Sequence, residues 1–383
     1  MTTSGDRNEP RWVLLSEGGN GESRAAVTAV RALAHAGYRT SVTETNRLSL
    51  AGASRWCDRR VPVPPVESDA AAYAKAIRAE LAARPYVTTF FTTDAALLAL
   101  DAPVRHLLDK ASSGELARAA GLQPPPTEVF DTAEELRRAT PRLRYPIVVK
   151  PALKLSSAEV VENASELASA IGAYQGRVLV QPRIEEPFFG FGGLMYQGRL
   201  VAAMRTRYVR LWPQPCGTVA TAETLPPDPA LEERVVELLR GYDGPFHLDF
   251  VGQYLLDVNP RIHATLPLAI RGGANIVAMY CDLLCGRAVS DVRVAAGLRF
   301  RWVEGDLRSL LWGVRRGRLD VGEALAALAP RRGTVHSFAS YSDPGPSVAR
   351  ARYLLRRVSG GRTRASSSAA RPTSSSTGDE TSR

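Results

Sequence analysis

Lysine is scarce in this chain: of 49 basic residues only four, Lys75, Lys110, Lys150 and Lys154, are lysines. A compact ammonium is therefore an exception here, and two of the four, Lys110 and Lys150, stand where a phosphate would want one. Cysteine is just as sparse. Four in 383 residues are too few for a disulfide framework, and Cys281 and Cys285, at helical spacing in "MYCDLLCGRA", lack nearby histidine ligands. They read as core thiols rather than a metal site. The opening "MTTSGDRNEPRW" has no apolar stretch of signal-peptide kind, and no apolar run reaches membrane-span length, so no membrane association is expected and the cytoplasm is the expected location.

Negative charge is missing from one region only. Residues 293–357 hold thirteen Arg against five acids and residues 359–383 four Arg against two, whereas the first 292 residues are balanced, so the formal +10 comes from the C-terminal part. No recognisable reading motif surrounds Arg315, Arg316, Arg318, Arg331 or Arg332. A solvated basic face or an anion-binding surface fits them better than specific nucleic-acid recognition. The Ser/Thr-rich tail lacks bulky apolar residues and is expected to be disordered. With 45% hydrophobic content, the chain is long enough for two or three packed domains.

The present elements alternate. "RWVLLSE", an amphipathic helix after "GGNGES", and "YRTSVTE" form a β-α-β unit; a helix over 68–83 and the strand "YVTTFF" follow. The Gly-rich turn lacks dinucleotide or P-loop spacing. A second unit starts near residue 106 with a helix, a Pro-rich approach to a strand, a capped helix and "YPIVVKP", which ends at Lys150. "GRVLVQPRIEE" leaves its strand at Gln181, and "FGGLMYQGRLVAAMRTRYVRLWP" is a hairpin turning at Gln197-Gly198. Finally, "GPFHLDFVGQYLLDVNPR" reads as two strands, the second ending in polar residues.

The ordered set "DK…G…P", "YPIVVKP", "VLVQPRIEE", "GPFHLDF" and "LLDVNPR" resembles the ATP-grasp superfamily, in particular its carboxylate-amine ligase-like branch related to the carbamoyl phosphate synthase large subunit. The resemblance runs over roughly residues 10–350. It implies a mixed α/β (α+β) fold: a Rossmann-like domain over 1–105, an ATP-grasp domain over 106–290, an Arg-rich, mainly helical extension over 291–358 and a disordered tail over 359–383. It also implies a ligase that uses ATP and Mg²⁺ (or Mn²⁺) to join a small-molecule carboxylate to an amine.

Residue roles follow from the resemblance. Asp249, Asp257 and Asn259 would be the metal ligands, hard oxygen donors of the kind Mg²⁺ prefers. Lys110 and Lys150 would hold the phosphates, with Ser156 and Ser157 closing over them. Gln181 and the backbone of Arg183 and Ile184 would face adenine. Glu185 and Glu186 are the nearest carboxylates for the ribose, although the family's acid falls a little later, at Pro187 and Phe188. Arg261 would meet the transferring phosphoryl, and Arg207 and Arg210 an anionic substrate. His247 and His263 flank the metal strands and are left out of the metal set. Asp257 stands where the family more often has Glu, which keeps open a rival reading as a nucleotide-binding protein without turnover; a basic nucleic-acid-associated protein is a weaker third.

Strand register supplies a sharp expectation. Shared metals require Asp249 opposite Asp257, which a simple two-residue turn at Gly252-Gln253 forbids, so a three-residue loop or an equivalent bulge is expected.

Overall fold

A computed structural model describes residues 11–17, 21–45, 49–153, 158–174 and 176–367. The first hundred residues form a four-stranded parallel sheet in the order Arg59–Pro62, Arg39–Glu44, Trp12–Ser16, Tyr86–Phe91. Its strands are short, and the central one is buried from Val13 to Ser16, as a strand covered on both faces must be. The helix Arg24–His35 is capped by the Ser23 hydroxyl and buries eight of its twelve residues, its small side chains allowing close approach. It packs on the helices Leu266–Arg271 and Ile276–Leu284 as well as on its own sheet. One hydrophobic cluster accordingly runs from Val13, Val27 and Val42 through Leu194 and Val201 to Leu268, Val277 and Phe300. Buried Cys281 belongs to that cluster as expected of a core thiol, Cys285 is only half-buried, and all four cysteines are free.

Two further sheets carry the rest. A four-stranded antiparallel sheet has the order Glu128–Phe130, Val178–Pro182, Ile147–Pro151, Glu159–Val161. A larger sheet begins with Tyr254–Asn259, Gly244–Val251, Phe188–Tyr196, Arg199–Trp212 and Thr218–Leu225 in neighbouring order. The hairpin between Phe188–Tyr196 and Arg199–Trp212 turns at Gln197-Gly198 with φ of 49° and 74°, the two positive values a type I′ turn needs.

Register around the two aspartates meets the expectation by the bulge route. Val251 pairs with Tyr254 across a two-residue turn at Gly252-Gln253, Phe250 pairs with Leu255, and Asp249 then pairs with Asp257. Leu256 is the extra residue. His247 lies opposite Asn259, so Asp249, Asp257 and Asn259 share one face.

The C-terminal extension, expected to be mainly helical, carries strands as well. Its helices Val303–Arg315, Val321–Leu328 and Gly345–Ser367 alternate with the strands Arg299–Arg301 and Thr334–His336, which lengthen the large sheet past Thr218–Leu225. Short added strands of this kind cover an edge that would otherwise stay unpaired. Residues 359–367, expected to be disordered, continue the last helix. Extending a nucleated helix costs far less than starting one, and Arg350, paired with Glu304 and Glu22, ties its first turns to the body. The remainder of the expected tail lies outside the described residues.

Candidate active site

A cavity of about 260 Å³ lies between the four-stranded antiparallel sheet and the end strand of the large sheet, lined among others by Lys110, Thr127, Lys150, Gln181 and Asp257. Lys150 ends its strand with 5% of its surface exposed, and Lys110 opens the helix Lys110–Ala119, whose N-cap is Asp109. Both ammonium groups reach one carboxylate oxygen: Lys110 Nζ is 3.2 Å and Lys150 Nζ 3.8 Å from Asp257 Oδ1. Lys150 also donates to the carbonyl of Leu256 at 3.2 Å. The bulge that sets the aspartate register thus also holds the lysine. With Arg118 and Arg177, the two largely buried lysines outnumber the acids of the lining, so the cavity wall carries net positive charge. Such a place favours an anion. Arg118 and Arg177 line the same cavity, and Glu115 is its other acid.

Gln181 is buried, donates to the Thr127 hydroxyl at 2.8 Å and lines the cavity with it. The segment after it does not line the cavity. Arg183 gives its backbone N–H to the Pro146 carbonyl and its guanidinium to Glu162 and Glu185, Ile184 is half-buried beside it, and Glu186 lies against the turn at Gly252. Ser156 and Ser157 fall outside the described residues.

On the face shared by the aspartates, Asn259 donates to Asp249 Oδ2 at 3.0 Å while its own Oδ1 accepts from Arg261 Nη2 at 2.8 Å. Two carboxylates and an amide oxygen on neighbouring strands are a donor set suited to a hard divalent cation. Tyr208 supports this set. Its hydroxyl donates to Asp249 Oδ1 at 2.8 Å and meets His247 Nε2 at 2.6 Å, and burial beside the Asp249 charge pushes the phenol well above its ordinary range, so it stays a donor. His247 and His263 stack at 3.7 Å, and with Asp249 they offer ligand atoms within 4.8 Å of one another. Sequence reasoning set these histidines aside and passed over Tyr208. A signal was present in "FFGFGGLMY": a Cβ on Gly190 would come within 2.5 Å of the Tyr208 hydroxyl and 2.8 Å of the His247 ring, and glycines inside a strand mark such close approach.

The three candidate arginines separate. Arg261, 11% exposed in its side chain, pairs with Asp94 at the end of the first sheet and lines a second cavity of about 320 Å³ with Glu22, Ser23, Thr92 and Thr93. The carboxyl ends of parallel strands are where α/β sheets bind ligands, so the "TTD" after "YVTTFF" could have been singled out from the sequence. Arg207 and Arg210 reach neither cavity. Arg207 pairs with Glu223 at 2.9 Å on the open surface. Arg210 pairs at 2.5 Å with Asp306, a fully buried acid that Arg301 holds from the other side at 2.7 Å. The expected substrate role for these two meets a structural cause: the hairpin arginines are drawn to the acids that neighbouring elements present.

Solved structures show the same architecture. An L-amino acid ligase from Bacillus licheniformis matches at a TM-score of 0.55 and 17% identity, over 72% of this chain and 75% of that one. The chain has the ATP-grasp fold. N5-carboxyaminoimidazole synthetase from Staphylococcus aureus, complexed with ADP, matches this ATP-grasp chain at 0.59 and 12% identity, over 76% of it and 80% of the synthetase. The biotin carboxylase domain of Hydrogenobacter thermophilus 2-oxoglutarate carboxylase, in complex with MgADP and bicarbonate, matches at 0.56 and 17%, over 76% and 73%. No protein-family model and no curated protein matches the sequence. At these identities the likeness is one of fold. Among the described residues no helix is long and apolar enough to cross a membrane.

Proposed function

We propose that this protein is an ATP- and Mg²⁺-dependent ligase, acting in the cytoplasm, that activates a small carboxylate as an acyl phosphate and joins it to an amine. The observation that carries the reading is the convergence of Lys110 and Lys150 on Asp257, at the edge of a cavity walled by two sheets. In this reading the two ammonium groups hold the nucleotide phosphates and Gln181 lies toward the base. Asp249, Asp257 and Asn259 hold Mg²⁺, which supplies charge neutralisation for the phosphates when bound. The acid's oxygen forms a bond to the γ-phosphorus as the bond to ADP breaks. The amine nitrogen then bonds to the acyl carbon, inorganic phosphate leaves, and the amine gives up one proton.

Arg261 sits between the metal residues and the second cavity, held from one side by Asn259 and from the other by Asp94. That station suits a guanidinium that stabilises charge on the transferring group, and in this reading the second cavity takes the acid and amine. A fold neighbour that is an L-amino acid ligase makes amino acids and short peptides the first compounds to try. The test is phosphate release from ATP with paired amino acids in all combinations. Release that needs both an acid and an amine is expected. ATP binding with no pair-dependent release would favour the nucleotide-binding protein without turnover.

A further inference from the structure

Away from both cavities, the helices Val303–Arg315 and Val321–Leu328 contact one another and leave their apolar side uncovered. The first buries Gly305, Asp306, Ser309, Leu310 and Gly313 against the large sheet. Val303, Leu307 and Leu311, spaced four apart on one stripe, are 41–50% exposed. The second helix, "VGEALAAL", has no buried residue at all, and its Val321 and Leu325 are 62% and 63% exposed. Five large aliphatic side chains in two adjacent rows are more than scattered surface apolarity explains.

Charge narrows the occupant. Arg315, Arg316 and Arg318 crowd the connection between the two helices, and Arg331 and Arg332 follow the second; none of the five has an ion pair among the described residues. The acids of the two helices are used locally: Glu304 pairs with Arg308 and Arg350, Asp306 is buried, and Asp320 and Glu323 form a capping box. A second copy would bring segments of net +8 each face to face, a like-charge juxtaposition that disfavours pairing. A bilayer surface is met best by exposed aromatic residues, and the only aromatic of these helices, Trp312, is half-buried with Arg318 stacked over it at 5.0 Å. We infer that this two-helix face docks an acidic polypeptide that presents an amphipathic helix, its leucine-type stripe entering between the two rows and its carboxylates meeting the arginines at the ends.

The probe is a fluorescein-labelled peptide of about 18 residues, roughly five helical turns, with Leu at helical spacing and Glu elsewhere. Its anisotropy is titrated with the full chain, beside a scrambled peptide of equal composition and a version with Lys in place of Glu. The striped acidic peptide is expected to bind in a salt-sensitive way. Leu307→Glu with Leu311→Glu, or Arg315→Ser with Arg316→Ser, is expected to weaken it about tenfold or more while ADP affinity holds. Equal binding of the scrambled or lysine peptide overturns the inference. So does binding to phosphatidylglycerol vesicles without peptide binding, or sedimentation of the chain as a dimer that the two leucine changes dissolve.

Discussion

Two pairs of basic residues, chosen from the sequence by the same logic, end in opposite circumstances. Lys110 and Lys150 come from different elements, lie largely buried and share a single carboxylate beside a cavity. Arg207 and Arg210 lie three apart on one strand, and each shares its acid with a second arginine, Glu223 with Arg299 on the surface and Asp306 with Arg301 in the interior. The lysine pair opens onto a cavity where, with Arg118 and Arg177, the lining cations outnumber the acids Asp257 and Glu115, which suits an anion such as phosphate. The arginine pair lines neither cavity, and its contacts join neighbouring elements of the fold. Cations in a similar ratio to their acids thus differ by where they lie: beside a cavity they can meet a ligand, between packed elements they hold the fold.

The largest expected effect lies on the lysine side. Lys150→Ala is expected to lower turnover by roughly 100-fold or more, as loss of a preorganised charge-assisted contact does, with circular dichroism unchanged. On the arginine side the counterpart is a loss of stability. Asp306→Ala would leave Arg210 and Arg301 facing each other without their acid, and a cost of about 3–5 kcal/mol is expected in chemical denaturation, since breaking a buried pair strands its charges. Full stability of that variant would show that Arg210 is free for a ligand.

Asp257 links the two kinds of behaviour, being both partner of the lysines and candidate metal ligand. Asp257→Asn is expected to raise the Mg²⁺ concentration for half-maximal turnover by at least about tenfold with circular dichroism unchanged. An unchanged Mg²⁺ requirement would confine Asp257 to holding the lysines.

Glu17 is a buried acid with no ion pair among the described residues. Burial pushes its carboxyl from 4.5 up to about 8, against hydrogen bonds from Ser49 and the Ala51 backbone and with the Glu44 charge adding to the rise. The folded state therefore holds a proton that the unfolded state releases. Stability from this group is fully present below about 4.5, falls as pH rises toward 8 by up to about 1.4 kcal/mol per unit, and then levels off. Glu17→Gln is expected to flatten that decline in melting temperature measured between pH 5 and 8. The smallest effect belongs to Arg207→Ala: its half-exposed pair with Glu223 should contribute no more than about 1 kcal/mol.

The lysine residues were legible because they end strands or open helices within short, ordered motifs. The bulge at Leu256 was foreseeable from the requirement that two aspartates face each other, but its second use as a carbonyl for Lys150 was not. The arginine partners were illegible for a different reason. Asp306 lies 96 residues from Arg210 on a helix of the extension, and no local pattern encodes a pairing across that distance. The same holds for Arg261 and Asp94, which are 167 residues apart. The helix through Ser367 was missed because composition predicts only what a segment does alone, not what an anchored first turn allows it to continue.

The central claim is that the Lys110–Lys150–Asp257 cavity is where nucleotide phosphate binds. Calorimetric titration of MgADP into the parent chain, Lys110→Ala, Lys150→Ala and Arg207→Ala tests it most directly. The account predicts binding to the parent, a loss of roughly tenfold or more in each lysine variant and no change in Arg207→Ala. Undiminished affinity in both lysine variants would contradict it.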